Sequence, residues 1–313
     1  MKAQPLSPAP GAAAGLLRRL LQRRSGPVRK PRVLALVTWA YIAWSIVPVL
    51  IAIQFSFNAG RSVSVWQGFS LTRWYWGDPV NSVWHDPALQ HALIQSLKLA
   101  GLDMLVATPI GVLLALGLAR WRGYGARPAN FLMLFPLVTP EIVMGVSLYL
   151  VFQYVFTFIH PSTAAQVLGQ VTFSISYVVV VVRGRLFSIG RDYEEAAADL
   201  GATPWETLRL VLFPLLLPAV LASLMIVFAI SIDDFVITQW LSCGAGCDTI
   251  PIKIYSATRA APLPSINALA AIMVYCSLAA VVLAFVCYKL LTRSESSADS
   301  TQAAISSVGA FDL

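Results

Sequence analysis

Long apolar stretches separated by short polar segments dominate this sequence. Six of them are long enough for a membrane-spanning helix, which needs roughly 20 consecutive, mainly apolar residues. They cover residues 33–55, 89–118, 130–158, 164–183, 215–233 and 268–291. A soluble protein with an unusually apolar core is the alternative, but six such runs cannot all be buried in a chain of 313 residues. The pattern predicts an all-α integral membrane protein with six transmembrane helices.

The composition agrees with a membrane domain at residues 33–291 between two polar tails. Hydrophobic residues make up 58% of the chain and charged residues 12%, against about 25% charged residues in a soluble domain. Residues 1–32 are basic and residues 292–313 are rich in Ser and Ala, so both are predicted to be disordered cytoplasmic tails. The first apolar run could belong to a signal peptide, but it exceeds the usual length of about 7–15 residues, which favours an uncleaved helix.

The net charge of +7 could suggest a nucleic-acid partner, but the positions of the basic residues indicate a membrane orientation instead. Of the 22 Lys and Arg residues, 17 lie in four segments: 1–32, 119–129, 183–209 and the segment after 288. With six spans, all four segments lie on one side of the membrane. The positive-inside rule makes that side cytoplasmic, so both termini are predicted to be inside the cell.

The four cysteines form no metal-binding pattern. Cys276 and Cys287 lie in the last apolar run, where they are expected to be packing residues. Cys243 and Cys247 fall in a loop predicted to be outside the cell, where a disulfide could persist. Three intervening residues make a tight ring, so the sequence leaves open whether this pair is bonded.

A short acidic segment, EEAAADLGATPWETLRLVLFP (194–214), interrupts the apolar pattern between the fourth and fifth runs. Asp192 is predicted to cap a first helix whose third residue is Glu195, as in a capping box. That helix is expected to reach Leu200. Gly201 then suits the left-handed conformation that often follows a helix end.

A second short helix is predicted directly afterwards. Thr203 can cap it, with Pro204 at the first helical position and Glu206 at the third. The sequence therefore predicts a sharply bent helix pair at residues 192–213 on the cytoplasmic side. A solvated loop with well-capped helices, without any partner, is the alternative that local pattern alone leaves open.

The spacing of this segment resembles the EAA loop of ABC importer permeases, roughly E-A-A-x3-G-x9-I-x-L-P. The chain has Val211 in place of Ile and Phe213 in place of Leu, and both replacements are apolar. In that family the loop docks into a groove of the ATPase subunit. The resemblance implies that role here for Glu195, Ala196, Ala197, Gly201 and Pro214.

Further segments are similar to the second permease subunit of the spermidine/putrescine branch. They are FSFNAGRS (55–62), GFSLTRWY (68–75), PLVTPEIVMGVSL (136–148), SIDDFVITQ (231–239), IPIKIYSATR (250–259) and PSINALAAI (264–272). The resemblance implies a type I ABC importer fold in a bacterial inner (plasma) membrane and polyamine import by alternating access. Related permeases carry thiamine, ferric ion, phosphonates or opines, which leaves the substrate open.

The same resemblance implies three protein partners besides membrane lipid. They are an ATPase dimer that binds ATP and Mg, a second, similar permease subunit, and an extracytoplasmic binding protein. The binding protein would touch the outer loops at 56–88 and 234–267. The chain itself has no G-x-x-x-x-G-K-[ST] motif, no zinc pattern and no catalytic grouping, so we expect neither enzymatic activity nor a cofactor in it. An ATP-independent carrier and a membrane enzyme are the rival classes.

Acidic residues within the apolar runs are candidates for a substrate path, because charge in a membrane interior is costly and usually faces a pathway or a partner. Glu141 is predicted to lie near the midplane and Asp103 at a comparable depth, whereas Asp233 and Asp234 end the fifth run on the outer side. Carboxylates and aromatic rings bind ammonium groups. The predicted path residues are Glu141, Asp233, Asp234, Phe235, Trp240 and Tyr255. Pairing of Glu141 with another subunit, and helix capping by the two Asp residues, are the alternatives.

Overall fold

The computed structural model describes residues 32–121, 123–260 and 263–309. The chain forms two compact units, residues 1–51 and residues 52–313. The first helix, α1 (Arg32–Ser56), begins in the first unit and ends in the second. The predicted tail at residues 1–32 lies outside the described residues except for Arg32.

The second unit is built of helices and loops. Its helices are α2 (Pro87–Arg120), α3 (Ala126–Val138), α4 (Glu141–Tyr154), α5 (Thr163–Ile189), α6 (Asp192–Asp199), α7 (Pro204–Glu206), α8 (Phe213–Asp233), α9 (Val236–Trp240), α10 (Ile250–Arg259) and α11 (Pro264–Gly309). Two π-helical turns, Arg73–Gly77 and Thr207–Leu212, precede α2 and α8. In the described ranges the only β-pairing is an isolated bridge between Asn58 and Phe69.

Five helical segments of the described chain are long and apolar enough to cross a membrane, and a bent pair could provide a sixth span. They are Val33–Ser56, Pro87–Arg120, Thr163–Ile189, Pro204–Asp233 and Pro264–Cys287. These segments contain or overlap five of the six predicted runs. The prediction of six apolar spans therefore holds for five continuous helices, with the third run as the exception.

The third run, predicted as one span over 130–158, is broken into α3 and α4, which meet at an angle of 108°. Thr139 and Pro140 are extended at the break, with ψ angles of 130° and 131°. A proline disfavours helical geometry in the residue before it and cannot donate a backbone hydrogen bond. Pro140 therefore turns the predicted span into two short helices.

The last helix is longer than its apolar run. It continues to Gly309, beyond residue 291, whereas residues 292–313 were predicted to be a disordered tail. No proline or glycine occurs between Pro264 and Gly309, and these are the two residues that most strongly interrupt helices. Helical backbone thus extends over most of the polar tail.

The bundle is organised around three helices, α2, α5 and α8, each of which packs against the other two, while α11 packs against α8. Fully buried small and branched residues fill the space between them. They include Ala107 and Ala115 on α2, Val178 and Val182 on α5, and Val227 on α8. Small side chains let helix backbones approach closely in membrane proteins.

A second cluster closes the end of the bundle at which α2 begins. Trp74 is fully buried there and donates a 2.6 Å hydrogen bond from Nε1 to the carbonyl of Asn58. Leu89, Ile250 and Leu269 pack in the same cluster. The loop before α2, the start of α2, α10 and the start of α11 are thereby joined at one end.

We expect Gly111→Ala to destabilise the bundle. A Cβ at Gly111 would lie 2.6 Å from Val178 Cβ and 3.2 Å from the carbonyl oxygen of Ile175, so α2 and α5 would have to separate. Overpacking of this kind costs about 1–3 kcal/mol, which the thermal unfolding midpoint of the purified chain would register.

Gly101→Ala, on the same helix, is the matched control. A Cβ at Gly101 meets nothing within 4 Å, so the midpoint should stay unchanged or rise. Equal effects of the two substitutions would contradict the close approach of α2 and α5 at Gly111.

Candidate functional site

The short helix α6 begins directly after α5, with its acidic residues in the first turn. The amides of Glu194 and Glu195 bond to the carbonyl of Arg191, so Arg191 is the residue before the helix and Asp192 is its first helical residue. The predicted capping role of Asp192 is therefore wrong, because Arg191 occupies the cap position and Asp192 already lies inside the helix. The acidic side chains still lie at the positive end of the helix dipole, which favours them.

The bend between the two short helices forms as predicted. Gly201 has a φ of +83°, and the amide of Ala202 bonds back to the carbonyl of Ala197 at 3.0 Å. The capping box of the second helix is complete. The amide of Glu206 donates to Thr203 Oγ1 at 3.3 Å, and the amide of Thr203 donates to Glu206 Oε2 at 2.8 Å.

The helix pair has an inner and an outer side. Ala197 is buried, whereas Glu195 and Ala196 are exposed. Leu200 and Trp205 are 90% and 68% exposed. The exposed residues form a mixed acidic and apolar surface that we call the knuckle surface: Glu195, Ala196, Leu200 and Trp205.

An ion pair between Arg120 and Glu194 ties α6 to the last residue of α2. Beside it lies a cavity of about 460 Å³, which Leu113, Leu116 and Leu208 help to line. No local sequence pattern predicts this pair, because its members are 74 residues apart. Since α2 crosses the whole bundle, the pair connects the bent helices to the helices that form its core.

A buried column of polar side chains runs along one face of α5. Gln166, Gln170 and Ser174 follow each other at intervals of four residues, so they share a face of the helix. All three are at most 2% exposed. Their hydrogen bonds reach α2, α8 and the loop after α9, so the column holds several elements in register.

Asp234 is bound to this column at the end of α8. Its Oδ2 accepts hydrogen bonds from Gln170 Nε2 at 3.3 Å and from the amide of Thr238 at 3.0 Å, and its Oδ1 accepts one from the amide of Ile237 at 3.2 Å. Ser231 Oγ completes the group by donating to Gln170 Oε1 at 2.7 Å. Asp234 therefore joins α5 to α9 and orders the start of that helix.

The neighbouring Asp233 has a different environment. Its side chain is exposed and lines a cavity of about 400 Å³ with Ala229, Met273 and Ser277. The structure thus separates the two predicted path residues: one carboxylate is held by three N–H donors and the other is open.

Glu141 is exposed at the first position of α4, immediately after the break. Trp240 lies over the same helix, because a Cβ at Gly145 would be 3.0 Å from Trp240 Cδ1. The Trp240 and Tyr149 rings are 6.2 Å apart. Of the predicted path residues, Glu141 and Trp240 are thus associated with α4.

Phe235 and Tyr255 form a separate aromatic pair. Their ring centroids are 4.8 Å apart, and the guanidinium carbon of Arg259 lies 4.8 Å from the Tyr255 centroid. One face of Tyr255, predicted to stack on a substrate cation, is therefore occupied by a cationic side chain of the same chain.

Asp103 is completely buried between α2 and α5. Its Oδ2 accepts a hydrogen bond of 2.6 Å from Ser174 Oγ, while its Oδ1 has no hydrogen-bond partner among the described residues. The contact joins the polar column to α2 one turn further along α5 than Gln170. The carboxylate of Asp103 therefore serves as a contact between two helices. The carboxylates of Glu141 and Asp233, in contrast, are exposed.

Comparison with known proteins identifies the family. Residues 107–296 match the family described as binding-protein-dependent transport system inner membrane component. This chain belongs to that family. The chain is therefore a multi-pass membrane protein and a transport subunit, as the EAA-like spacing indicated.

Curated relatives support the branch-level resemblance. The chain is 35% identical over 254 residues to the putrescine transport system permease protein PotI of Escherichia coli. The aligned region covers 79% of this chain and 86% of that protein. It is also 35% identical over 257 residues to the spermidine/putrescine transport system permease protein PotC of Haemophilus influenzae. That aligned region covers 82% of this chain and 94% of the relative.

Solved structures confirm the type I ABC importer fold. The structure superposes on a bacterial ABC transporter involved in the import of the acidic polysaccharide alginate with a TM-score of 0.62 at 15% identity, covering 88% of this chain and 99% of that chain. Superposition on an amino acid ABC transporter gives a TM-score of 0.52 at 21% identity and covers 66% of this chain and 95% of that chain.

We expect Ser174→Ala to destabilise the protein, because it removes the donor to Asp103 Oδ2 and leaves both carboxyl oxygens without partners. Such a loss costs about 1–3 kcal/mol. The combined variant Asp103→Leu/Ser174→Ala should recover part of this loss, since replacing both members of a buried polar pair is less costly than removing one.

Thr172→Ala is the control on the same helix, because Thr172 is exposed and its hydroxyl bonds only to its own helix at Leu168. Thermal unfolding of the parent, Ser174→Ala, Asp103→Leu and the combined variant gives the coupling between the two positions, and Thr172→Ala should unfold like the parent. Additive losses in the combined variant would mean that the contact does not stabilise the bundle.

Proposed function

We propose that this chain is one permease subunit of an ABC importer for polyamines, driven by an ATPase on separate subunits. The knuckle surface is the observation that carries the proposal. It presents exposed apolar residues on a bend that is anchored twice, by the ion pair between Arg120 and Glu194 and by the turn that continues into α8. The family to which the chain belongs consists of components of transport systems. The relatives named for putrescine and spermidine, which match about four fifths of the chain, support the polyamine substrate.

The distribution of charge supports an orientation with both termini in the cytoplasm. The Arg120–Glu194 pair, Arg185, Arg191 and Arg209 lie at or near the end of the bundle that carries α6. Basic residues concentrate on the cytoplasmic side of membrane proteins. In this orientation the knuckle surface faces the cytoplasm, where an ATPase dimer with bound ATP and Mg could dock.

Docking at the knuckle surface would move the bundle through two rigid connections. The ion pair joins α6 to α2, and the π-helical turn Thr207–Leu212 runs without a break into α8. Because α2 and α8 both pack on α5, a displacement of the bend would act on all three core helices. We propose that this displacement, against a second, similar permease subunit, alternates access between the two sides.

The far end of the bundle is the proposed side of substrate entry. It carries the segments predicted as outer loops, 56–88 and 234–267, which an extracytoplasmic binding protein would contact. Glu141 and Asp233 provide exposed carboxylates, and carboxylates form charge-assisted hydrogen bonds with ammonium groups. We therefore assign to them the substrate-contacting role, with Asp234 as a residue that orders the surrounding backbone.

An importer of molybdenum is the second candidate. The chain is 36% identical over 181 residues to the molybdenum transport system permease protein ModB of Mycobacterium bovis, which covers 54% of this chain and 69% of that protein. The exposed acidic residues of the path favour a cation, as does the greater coverage by the polyamine relatives. Uptake assays with both kinds of solute would separate the two candidates.

We expect Gly201→Val to reduce co-purification of the ATPase subunit and ATP-driven uptake. A Cβ at Gly201 meets nothing within 4 Å, and φ there is +83°, so the substitution acts only through the backbone. A β-branched residue is strained at positive φ. Gly201→Asn is the matched control, because Asn tolerates this conformation, and it should retain most activity. Normal docking of the Val variant would exclude the bend as the coupling element.

We expect Glu141→Gln to lower polyamine uptake by roughly tenfold, equivalent to about 1.4 kcal/mol, because it removes the exposed charge at the start of α4. Glu141→Asp keeps the carboxylate and should retain most of the uptake. Size-exclusion chromatography should show intact complexes for both variants. Equal uptake by the Gln variant and the parent would remove Glu141 from the path.

A further inference from the structure

The loop between α9 and α10 is closed by a disulfide between Cys243 and Cys247, the pair that the sequence left open. Its two cysteines differ in exposure: Cys243 is exposed, whereas Cys247 is 2% exposed. Within the ring, the amide of Cys247 donates to the carbonyl of Gly244 at 2.8 Å, and Gly244 has a φ of +87°. The bond therefore pins a buried residue beneath a small exposed turn.

The buried half of this ring meets the polar column of α5. Gln166 Nε2 donates to the carbonyl of Cys247 at 3.0 Å and to the carbonyl of Thr238 at 3.0 Å. Gln166 Oε1 accepts from Gln95 Nε2 at 3.1 Å. A carboxamide has two N–H donors, so this fully buried side chain uses both of them, one on the disulfide loop and one on α9.

From Thr238 the connection continues to Asp234. The amide of Thr238 donates to Asp234 Oδ2 at 3.0 Å, and its hydroxyl donates to the carbonyl of Asp234 at 2.8 Å. The sequence of contacts is thus Cys247 carbonyl, Gln166 carboxamide, Thr238 backbone and Asp234 carboxylate. Every member of this route lies within the compact unit that begins at residue 52.

We propose that the Cys243–Cys247 disulfide and Gln166 are positioning groups that fix α9 and Asp234 beside the substrate path. The inference rests on the proposed function only for the location of that path. Opening the ring returns conformational freedom to the loop. The carbonyl of Cys247 then leaves Gln166, whose buried N–H loses its acceptor, and an unsatisfied buried donor is costly.

A second contact of Cys247 would also be affected when the disulfide opens. Cys247 Sγ lies 3.9 Å from Thr163 Oγ1, and Thr163 Oγ1 in turn accepts from Gln95 Nε2 at 2.9 Å. The same loop is held at its far end, where the amide of Ile250 donates to Ser96 Oγ at 2.8 Å. Reduction therefore frees residues 242–247, while the ion pair between Asp248 and Lys253 and the attachment to α2 at Ile250 remain.

A dithiol can open the bond from the exposed side. One thiolate of the reagent attacks Cys243 Sγ, forming a mixed disulfide, and Cys247 leaves as a thiolate that takes up a proton. The second thiol of the reagent then displaces Cys243 as a thiolate, which is also protonated, and the reagent becomes a cyclic disulfide. Two electrons pass from the reagent to the protein, and reoxidation restores the ring.

Hydrogen exchange tests the positioning role without any substrate. The full-length chain, together with the subunits that co-purify with it, is placed in lipid nanodiscs and treated with dithiothreitol. We expect amide exchange in residues 235–241 to rise tenfold or more, whereas exchange around the Thr203–Glu206 capping box stays unchanged. Mass spectrometry after thiol alkylation verifies that Cys243 and Cys247 are reduced. Unchanged exchange in 235–241 with both thiols free would overturn the proposal.

Variants distinguish the effect of opening the disulfide ring from other effects of dithiothreitol. Cys243→Ser/Cys247→Ser should show the fast exchange with and without dithiothreitol, and Gln166→Leu should show it even with the disulfide intact. Cys276→Ser, which removes a cysteine of α11 outside the ring, should respond like the parent. Slow exchange in the double Ser variant would also overturn the proposal.

Uptake of radiolabelled putrescine into vesicles tests the link to the path. Reduction should raise the substrate concentration for half-maximal uptake several-fold with a smaller change in the maximal rate, and reoxidation should reverse the effect. Faster exchange with an unchanged half-saturating concentration would refute the link. Faster exchange in a complex that transports no polyamine would leave the positioning role standing and refute the proposed function.

Discussion

The requirement that polar groups in a membrane find partners within the protein shapes this structure. Water is absent from the hydrocarbon core, so an unpaired N–H or carbonyl there costs several kcal/mol. The break between α3 and α4 meets this requirement locally: the amide and hydroxyl of Thr139 both donate to the carbonyl of Phe135, and the carbonyl of Pro140 accepts from two amides of α4. The third run can therefore break between Val138 and Glu141, which places Glu141 at an exposed position.

The same requirement explains which features the sequence could predict. Apolar runs, the Thr203–Glu206 capping box and the left-handed Gly201 depend on residues that are neighbours along the chain, and these predictions were confirmed. The third run was predicted as one span; Pro140 explains why the helix breaks there, whereas the 108° angle between its two halves also depends on what α4 packs against. The pairs Arg120–Glu194 and Gln95–Gln166 join residues 74 and 71 positions apart, so no local pattern reveals them.

The two functional regions occupy opposite ends of the same three helices. At one end the Arg120–Glu194 pair and the turn before α8 attach the bent helices, and at the other Gln170 and Gln166 attach α9 and the disulfide loop. Interfaces such as that between Gly111 and Val178 are too close to deform gradually, because a packed core moves between discrete arrangements. A force applied at the bend is therefore expected to shift whole helices, and with them the acidic residues at the far end.

The partners of the predicted path residues determine how a cation could be recognised. Tyr255 already carries Arg259 on its ring, Trp240 packs on Gly145, and Asp234 accepts three hydrogen bonds. Within the described chain, Glu141 and Asp233 accept no hydrogen bond and form no ion pair. A carboxylate without a partner gains most from an approaching ammonium group, because no existing contact has to be broken. Recognition by charge therefore falls to these two residues, while the aromatic and amide groups around them keep the backbone in place.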